Sequence, residues 1–317
     1  MAIISASRRT DIPAFFSEWF MNRLEAGNVM VRNPYNQKVS EIPINKYVTD
    51  CIVFWTKNPI PMLNKLDRIT LPYYFQFTLT GYSSDMERNL PNKNMLIQVF
   101  RDLCEKGNGH VIWRYDPIIF TMKYTPEWHL QTFAGMANDL KGYTDKCVIS
   151  FVDMYDYVQK SMKDEYFAYI TTEQKLDFCK RLAEIADKNG MTVGTCAEKI
   201  DLEQYGIVHN KCIDPDYIEK IVGYPVSADK DKGQRKECGC IESIDIGAYN
   251  TCNNGCKYCY ALRDKNLLMQ NMHRYDVHSP LLCDRLGENE KPVLRKVESV
   301  RKTPETETVN VQQLSLF

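Results

Sequence analysis

An alternation of two residue patterns constrains this chain most. Short runs rich in β-branched and aromatic residues, at 3–7, 51–55, 74–80, 111–115, 147–152 and 192–196, are each followed by a longer stretch of helical character. Strands that alternate with helices run parallel, because each helix carries the chain back to the starting edge before the next strand begins. Residues 14–27 set Phe15, Phe16, Trp19, Phe20 and Leu24 near one helical face, and 93–106 do the same with Met95, Leu96, Val99, Phe100 and Leu103. The clearest helix is 173–189, with Leu176, Cys179, Leu182, Ala183 and Ala186 on one side, Thr172 as its cap and Gly190 as its stop. A seventh run, 241–246, comes late and leads into a cysteine-rich loop. Six or seven parallel strands predict an α/β fold, a full or partial βα barrel of TIM-like type.

The organisation divides into a barrel body over 1–200, a cysteine-rich segment with the last strand over 201–286, and a tail over 287–317. The tail opens on a polar, mixed-charge stretch that reads as a flexible linker. With 317 residues, 44% hydrophobic, the chain is long enough for a substantial core. No apolar run reaches about 18 residues, so no membrane partner is expected. The amino end lacks the apolar core of a signal peptide and reads as cytoplasmic. A net charge of -1 gives no general footprint for nucleic acid.

In a reducing compartment the 12 cysteines are expected to be thiols or metal ligands rather than disulfides. Cys51, Cys104, Cys147 and Cys179 are dispersed among apolar residues, where a thiol acts as a small hydrophobe. Seven more, from Cys196 to Cys259, gather in one stretch, with Cys283 beyond it.

In a βα barrel the carboxyl ends of the strands share one face, and polar residues there can meet a ligand. Here the candidates are Arg8, Arg9 and Asp11 after the first strand, Lys57 after the second, and Gln76 and Thr78 on the third. Arg114 and Asp116 follow on the fourth, Asp153 on the fifth and Glu198 on the sixth. Such a set suits a polar or anionic ligand such as a nucleotide, or pairs among itself to close the barrel mouth.

Cys252, Cys256 and Cys259 form a C-x3-C-x2-C array on one tight loop, with Gly255 allowing a close turn. Three thiolates so spaced suit three corners of a 4Fe-4S cubane, leaving the fourth iron open; structural zinc asks for a fourth ligand from elsewhere. The array, with Tyr258 before its last cysteine, resembles the cluster loop of radical S-adenosylmethionine (SAM) enzymes. That resemblance implies that Cys252, Cys256 and Cys259 hold the cluster and that Tyr258 lies near the adenine of SAM. It further implies reductive cleavage of SAM to start radical chemistry, with an electron donor of flavodoxin or ferredoxin type. In those enzymes the loop comes early, and here it comes after most strands, which implies a circular permutation. From SASRRTD through FWTKNP, QFTLTGY and WRYDP to the terminal cysteines, over about residues 1–285, the chain is similar to the DUF1848 family.

Cys196, Cys212, Cys238 and Cys240 are candidates for a second site, a further iron–sulfur cluster or zinc, or else are buried free thiols. The five histidines show no ligand spacing and read as structural. The terminal Gln313, Leu314, Ser315, Leu316 and Phe317 resemble the short peptide by which bacterial repair proteins dock on the DNA sliding clamp. With spore photoproduct lyases as the analogue, the expected substrate is a nucleobase or another small polar molecule, and DNA repair the expected setting. The alternatives are an iron–sulfur enzyme that does not use SAM and a zinc-containing, clamp-associated binding protein.

Overall fold

The computed structural model describes residues 3–107 and 109–302. The clamp-like peptide at 313–317 lies outside the described residues.

The expected parallel sheet is present and has eight strands. They are β1 (Ile3–Ala6), β4 (Cys51–Thr56), β5 (Tyr73–Thr78), β6 (Val111–Ile118), β7 (Lys146–Phe151), β8 (Thr192–Thr195), β9 (Val208–His209) and β10 (Ile244–Asp245). The two-residue β9 is an addition to the six or seven runs expected, too short to leave a periodic signal. In space the order is β10-β1-β4-β5-β6-β7-β8-β9, every neighbouring pair parallel. The last strand of the sheet in sequence therefore stands beside the first, with Ile4 opposite Ile244 and Ser5 opposite Asp245. This is an α/β fold built on a large parallel sheet, as a partial barrel requires.

Residues along a strand point alternately to opposite faces, and the two faces differ in what covers them. Ile4, Ala6, Phe54, Phe75, Phe77, Trp113, Tyr115 and Ile149 pack outward against the helices. Those helices include α1 (Ile12–Phe15), α2 (Ser17–Ala26), α3 (Lys93–Lys106), α4 (Pro126–Asp139) and α6 (Thr172–Lys188), the short α5 (Asp156–Ser161) coming between the last two in sequence. Each fully buried aromatic in this layer contributes on the order of 2 kcal/mol of transfer free energy. The intervening residues Ile3, Cys51, Val53, Tyr74, Ile112 and Val148 face inward onto Cys212, Ile213, Cys238, Cys240 and Ile241. The cysteine-rich segment thus fills the concave side of the sheet. Nearer the carboxyl ends the inward positions turn polar: Ser5, Gln76, Arg114 and Ser150 are all buried.

Local details differ from the periodicity. The helix expected over 14–27 breaks at Phe16, whose ψ of 24° and φ of -133° separate α1 from α2. Thr171 rather than Thr172 caps α6, in a reciprocal capping box with Gln174. The dispersed Cys51, Cys104, Cys147 and Cys179 are buried, as expected of small hydrophobes. His129 is a core residue bonded to Tyr115 and to the Ile119 carbonyl. Among the described residues no helix is long and apolar enough to cross a membrane.

The flexible linker expected from 287 onward is corrected over its first part. A hairpin of β2 (Asn28–Arg32) and β3 (Val39–Pro43), invisible to the βα alternation, accepts β11 (Val293–Leu294) as a third strand. Val297 and Val300 are buried. Asp50, itself buried, accepts hydrogen bonds from Ser299 Oγ at 2.6 Å, Val300 N at 2.7 Å and Tyr224 Oη at 2.7 Å. Composition misleads here because a polar, charged stretch needs only two buried valines and one carboxylate anchor to dock. Asp50→Ala strands these donors and is expected to cost roughly 2 kcal/mol or more in urea unfolding, with faster proteolysis near 295–302; wild-type behaviour in both measurements would remove Asp50 as the anchor.

Candidate functional site

The three-cysteine loop sits at the carboxyl ends of β1, β4 and β5, and one carboxylate fastens it there. Asp11 is buried just past β1 and caps α1 by accepting from Ala14 N at 3.1 Å. Its oxygens also accept from Thr56 Oγ1 at 2.7 Å, Lys57 N at 2.8 Å and Asn254 Nδ2 at 2.9 Å. Burial pushes the Asp11 pKa upward, against the pull of these donors. Asp11, a candidate catalytic residue in the sequence, is here fully engaged as a clasp between two strand ends and the cysteine loop.

The loop's other side rests on the segment after β5. Lys257 N donates to Met86 O at 2.9 Å, Asn89 N to Asn254 O at 3.1 Å, and Glu87 and Cys256 pair as an antiparallel bridge. Gly255 adopts φ +71°, and a Cβ there would lie 3.0 Å from Asn89 Nδ2, so the turn demands glycine on two counts. Cys252, Cys256 and Cys259 are half-buried and influence one another's ionisation. Burial raises the pKa of all three, while the Lys57 charge pulls Cys256 and Cys259 the other way.

Beside them lies an ion network that only part of the sequence reading anticipated. Lys57 Nζ donates to Glu87 Oε1 at 2.8 Å and to Tyr258 Oη at 2.9 Å. Glu87 further accepts from Thr80 Oγ1 at 2.9 Å, and from Lys93 and Tyr258 through short contacts. Burial opposes the Glu87 charge, but Lys57 and Lys93 outweigh it and hold its pKa at about 2. Tyr258 packs against Tyr82, ring centroids 5.7 Å apart. Glu87, Lys93 and Asn254 were missed because Glu87 lies in an irregular segment, Lys93 reads as the first residue of an ordinary helix, and Asn254 is a spacer between two cysteines.

A second group occupies the concave side. Arg114 donates from Nη1 to Cys212 Sγ at 2.9 Å and to Gln76 Oε1 at 3.3 Å, and from Nε to Asp116 at 3.1 Å. Asp116 also receives Ser150 Oγ in a short contact. Gln76 Nε2 and Tyr74 Oη both donate to the Cys212 carbonyl, at 2.8 and 2.7 Å. Gln76 therefore belongs with Cys212 rather than with the three-cysteine loop. Arg8 and Arg114 each lie over the Trp55 ring, 5.3 and 5.2 Å from its centroid. Cys196 and Cys212 touch, Sγ to Sγ 3.4 Å, and Cys240 interacts with both Cys212 and Cys238. Among the described residues no three His, Cys, Asp or Glu side chains are set to hold one metal ion as they stand.

The remaining candidates sit further out. Arg9 pairs with Asp245 at 3.8 Å and lies over Tyr249 at 5.5 Å. Glu198 accepts from Phe151 N at 2.8 Å, and burial raises its pKa. Asp153 is exposed and paired with Arg235 at 2.5 Å, and Thr78 is half-buried at the end of β5. The structure thus gathers Asp11, Lys57 and Tyr258 around the loop, and Arg8, Gln76, Arg114 and Asp116 around the four other cysteines. Glu87 lies between two ammonium groups, and Glu87→Ala is expected to lower stability by roughly 3 kcal/mol or more in urea unfolding, with Glu87→Gln losing less; equal small losses would deny the network its structural weight.

Comparisons with known proteins bear on the whole of this arrangement. A family model described as a domain of unknown function, DUF1848, matches residues 3–261. No curated protein matches. Among solved structures, a crystal structure of D-hydantoinase is similar at 8% sequence identity and a TM-score of 0.32, over 68% of this chain and 46% of that one. The chain thus spans less than half the length of that structure. The family match runs from β1 through the last cysteine of the loop, and the chain belongs to the DUF1848 family.

Proposed function

We propose that this protein is an iron–sulfur enzyme of radical SAM type in a circularly permuted βα barrel, acting on a nucleobase or a similar planar, polar substrate. The observation that carries this is the position of the three-cysteine loop. It follows β10 directly and lies at the carboxyl ends of a parallel sheet, with β10 next to β1. Cutting the chain before β10 and joining its ends would put strand and loop first, and every later strand of this sheet would then pair with the sheet strand before it. That is the order which the resemblance to radical SAM enzymes implies, so permutation accounts for the late loop.

The donor set fits the group. A cubane gives each of three thiolates its own iron and does not ask them to meet at one point, as a single ion does. Cys252, Cys256 and Cys259 would hold it, with Lys57 favouring the thiolate forms of Cys256 and Cys259. When bound, the cluster supplies an iron without a protein ligand, at which SAM is held and reduced. The chain's part is to fix and shield. Asp11 and Asn254 keep the loop pressed on the strand ends, and Lys57 and Glu87 immobilise the Tyr258 hydroxyl.

The rim supports the substrate class. Arg263 lies over Tyr249 at 4.3 Å and over Tyr157 at 5.7 Å, and Tyr155 stacks on Tyr157 with an interplanar angle of 6°. Flat rings interleaved with guanidinium groups suit stacking of a base and pairing with phosphate. Tyr249→Ala is expected to weaken binding of a single-stranded oligonucleotide by about 1–3 kcal/mol in fluorescence anisotropy; unaltered affinity, or no binding by the unaltered chain, would withdraw the nucleobase from the proposal. Anaerobic reconstitution is expected to give a reduced cluster whose electron-spin signal changes on adding SAM and which releases 5'-deoxyadenosine. Both effects are expected to vanish in Cys256→Ala. A cluster that is blind to SAM would leave an iron–sulfur enzyme of another kind, and zinc without iron a binding protein.

A further inference from the structure

The second cysteine group is drawn from three separate stretches of chain. Cys196 follows β8, Cys212 follows β9, and Cys238 and Cys240 flank Gly239 just before the return to β10. A Cβ on Gly239 would lie 2.9 Å from Lys211 Cγ, so glycine is what lets the Cys238–Cys240 turn press against the Cys212 segment. Two donors, Tyr74 Oη and Gln76 Nε2, pin the Cys212 carbonyl from inside the sheet. The four thiols therefore converge through built contacts, not through closeness in sequence.

Charge bears on what the four could hold. Arg114 reaches this pocket with a hydrogen bond to Cys212 Sγ, and the Arg8 charge acts on Cys240 and Cys212. Arg114 has Asp116 as its hydrogen-bonded carboxylate, whereas the Arg8 side chain, among the described residues, has Asp231 at 3.6 Å, beyond hydrogen-bond reach, and the charge of Asp245 nearby. Buried guanidinium groups require counter-charge, and four thiolates around a metal centre supply it. Neutral thiols would not.

An unmet donor then separates the two kinds of centre. Arg8 Nη2 is buried and has no partner among the described residues, and the Asn210 amide donates to Cys212 Sγ at 3.4 Å. A buried donor left without an acceptor costs on the order of a lost hydrogen bond. A lone zinc ion brings no acceptor of its own, while a cubane brings inorganic sulfide at its free corners. We propose that Cys196, Cys212, Cys238 and Cys240 hold a second, fully ligated iron–sulfur cluster on the concave side of the sheet, with Arg8 and Arg114 donating to its sulfur atoms. Cys196 and Cys212, now in contact, turn apart onto separate irons when it is bound.

The site stands independently of the three-cysteine loop, and the test keeps the two apart. The chain carrying Cys252→Ala, Cys256→Ala and Cys259→Ala, purified anaerobically, is expected to retain about four iron and four acid-labile sulfide per chain. Adding Cys212→Ala and Cys240→Ala is expected to remove them. Zinc without sulfide in the triple variant, or neither metal nor sulfide there, overturns the proposal. Should the triple variant not fold, Cys212→Ala with Cys240→Ala in the otherwise unaltered chain decides: a loss of about four iron per chain supports the second cluster, and an unchanged iron content overturns it. Iron and sulfide that survive the triple variant while SAM has no effect on the unaltered chain would end the radical SAM reading and leave this one intact. In the triple variant, Arg8→Gln is expected to keep the iron and lower the midpoint potential, because a positive donor favours the reduced cluster. An unchanged potential removes Arg8 from the site.

Discussion

The buried carboxylate of Asp11 is the interaction on which the mouth of this sheet depends. A carboxylate away from water is tolerated only when its lone pairs are filled, and here the donors come from α1, from the end of β4 and from the cysteine loop. Elements distant in sequence are thereby brought into one fixed relation. Without Asp11 the loop would keep its contacts with the 86–89 segment and the Lys57 bond to Tyr258, but lose the tie through Asn254 to the ends of β1 and β4.

The concave side shows a gradient along the strands. Ile3, Val53 and Ile112 fill the amino-terminal end with apolar side chains, and Gln76, Arg114 and Ser150 line the carboxyl-terminal end with polar ones. Burial of the first set stabilises the fold without restricting its use. The second set is costly to bury and survives by mutual bonding, through Arg114 to Asp116 and Gln76 to Cys212. Buried polar side chains are thus confined to the end of the sheet where they find partners.

Much of this was legible. The spacing of β runs and helices located seven of the eight strands of the sheet and three helical regions, because each such element is held by its own periodic apolar face. The polar strand ends picked out Lys57, Arg114 and Asp116, and the C-x3-C-x2-C spacing picked out Cys252, Cys256 and Cys259. Glu87, Lys93 and Trp55 escaped, since nothing local distinguishes them from surface or core residues. The 287–302 stretch was misread for a related reason: the valines that dock it are too few to dominate its composition.

The sequence by itself determined that the sheet is parallel, that its strand ends are polar, and that most of the cysteines fall in two groups late in the chain. Those properties follow from periodicity and from the residue types in one short window. Only the tertiary structure decided which groups meet. It placed β10 beside β1, assigned Asp11 to the loop, and divided the polar residues between the three-cysteine loop and the four-cysteine pocket. Pairings across more than two hundred residues depend on how strands order themselves in the sheet, and no local pattern records that order.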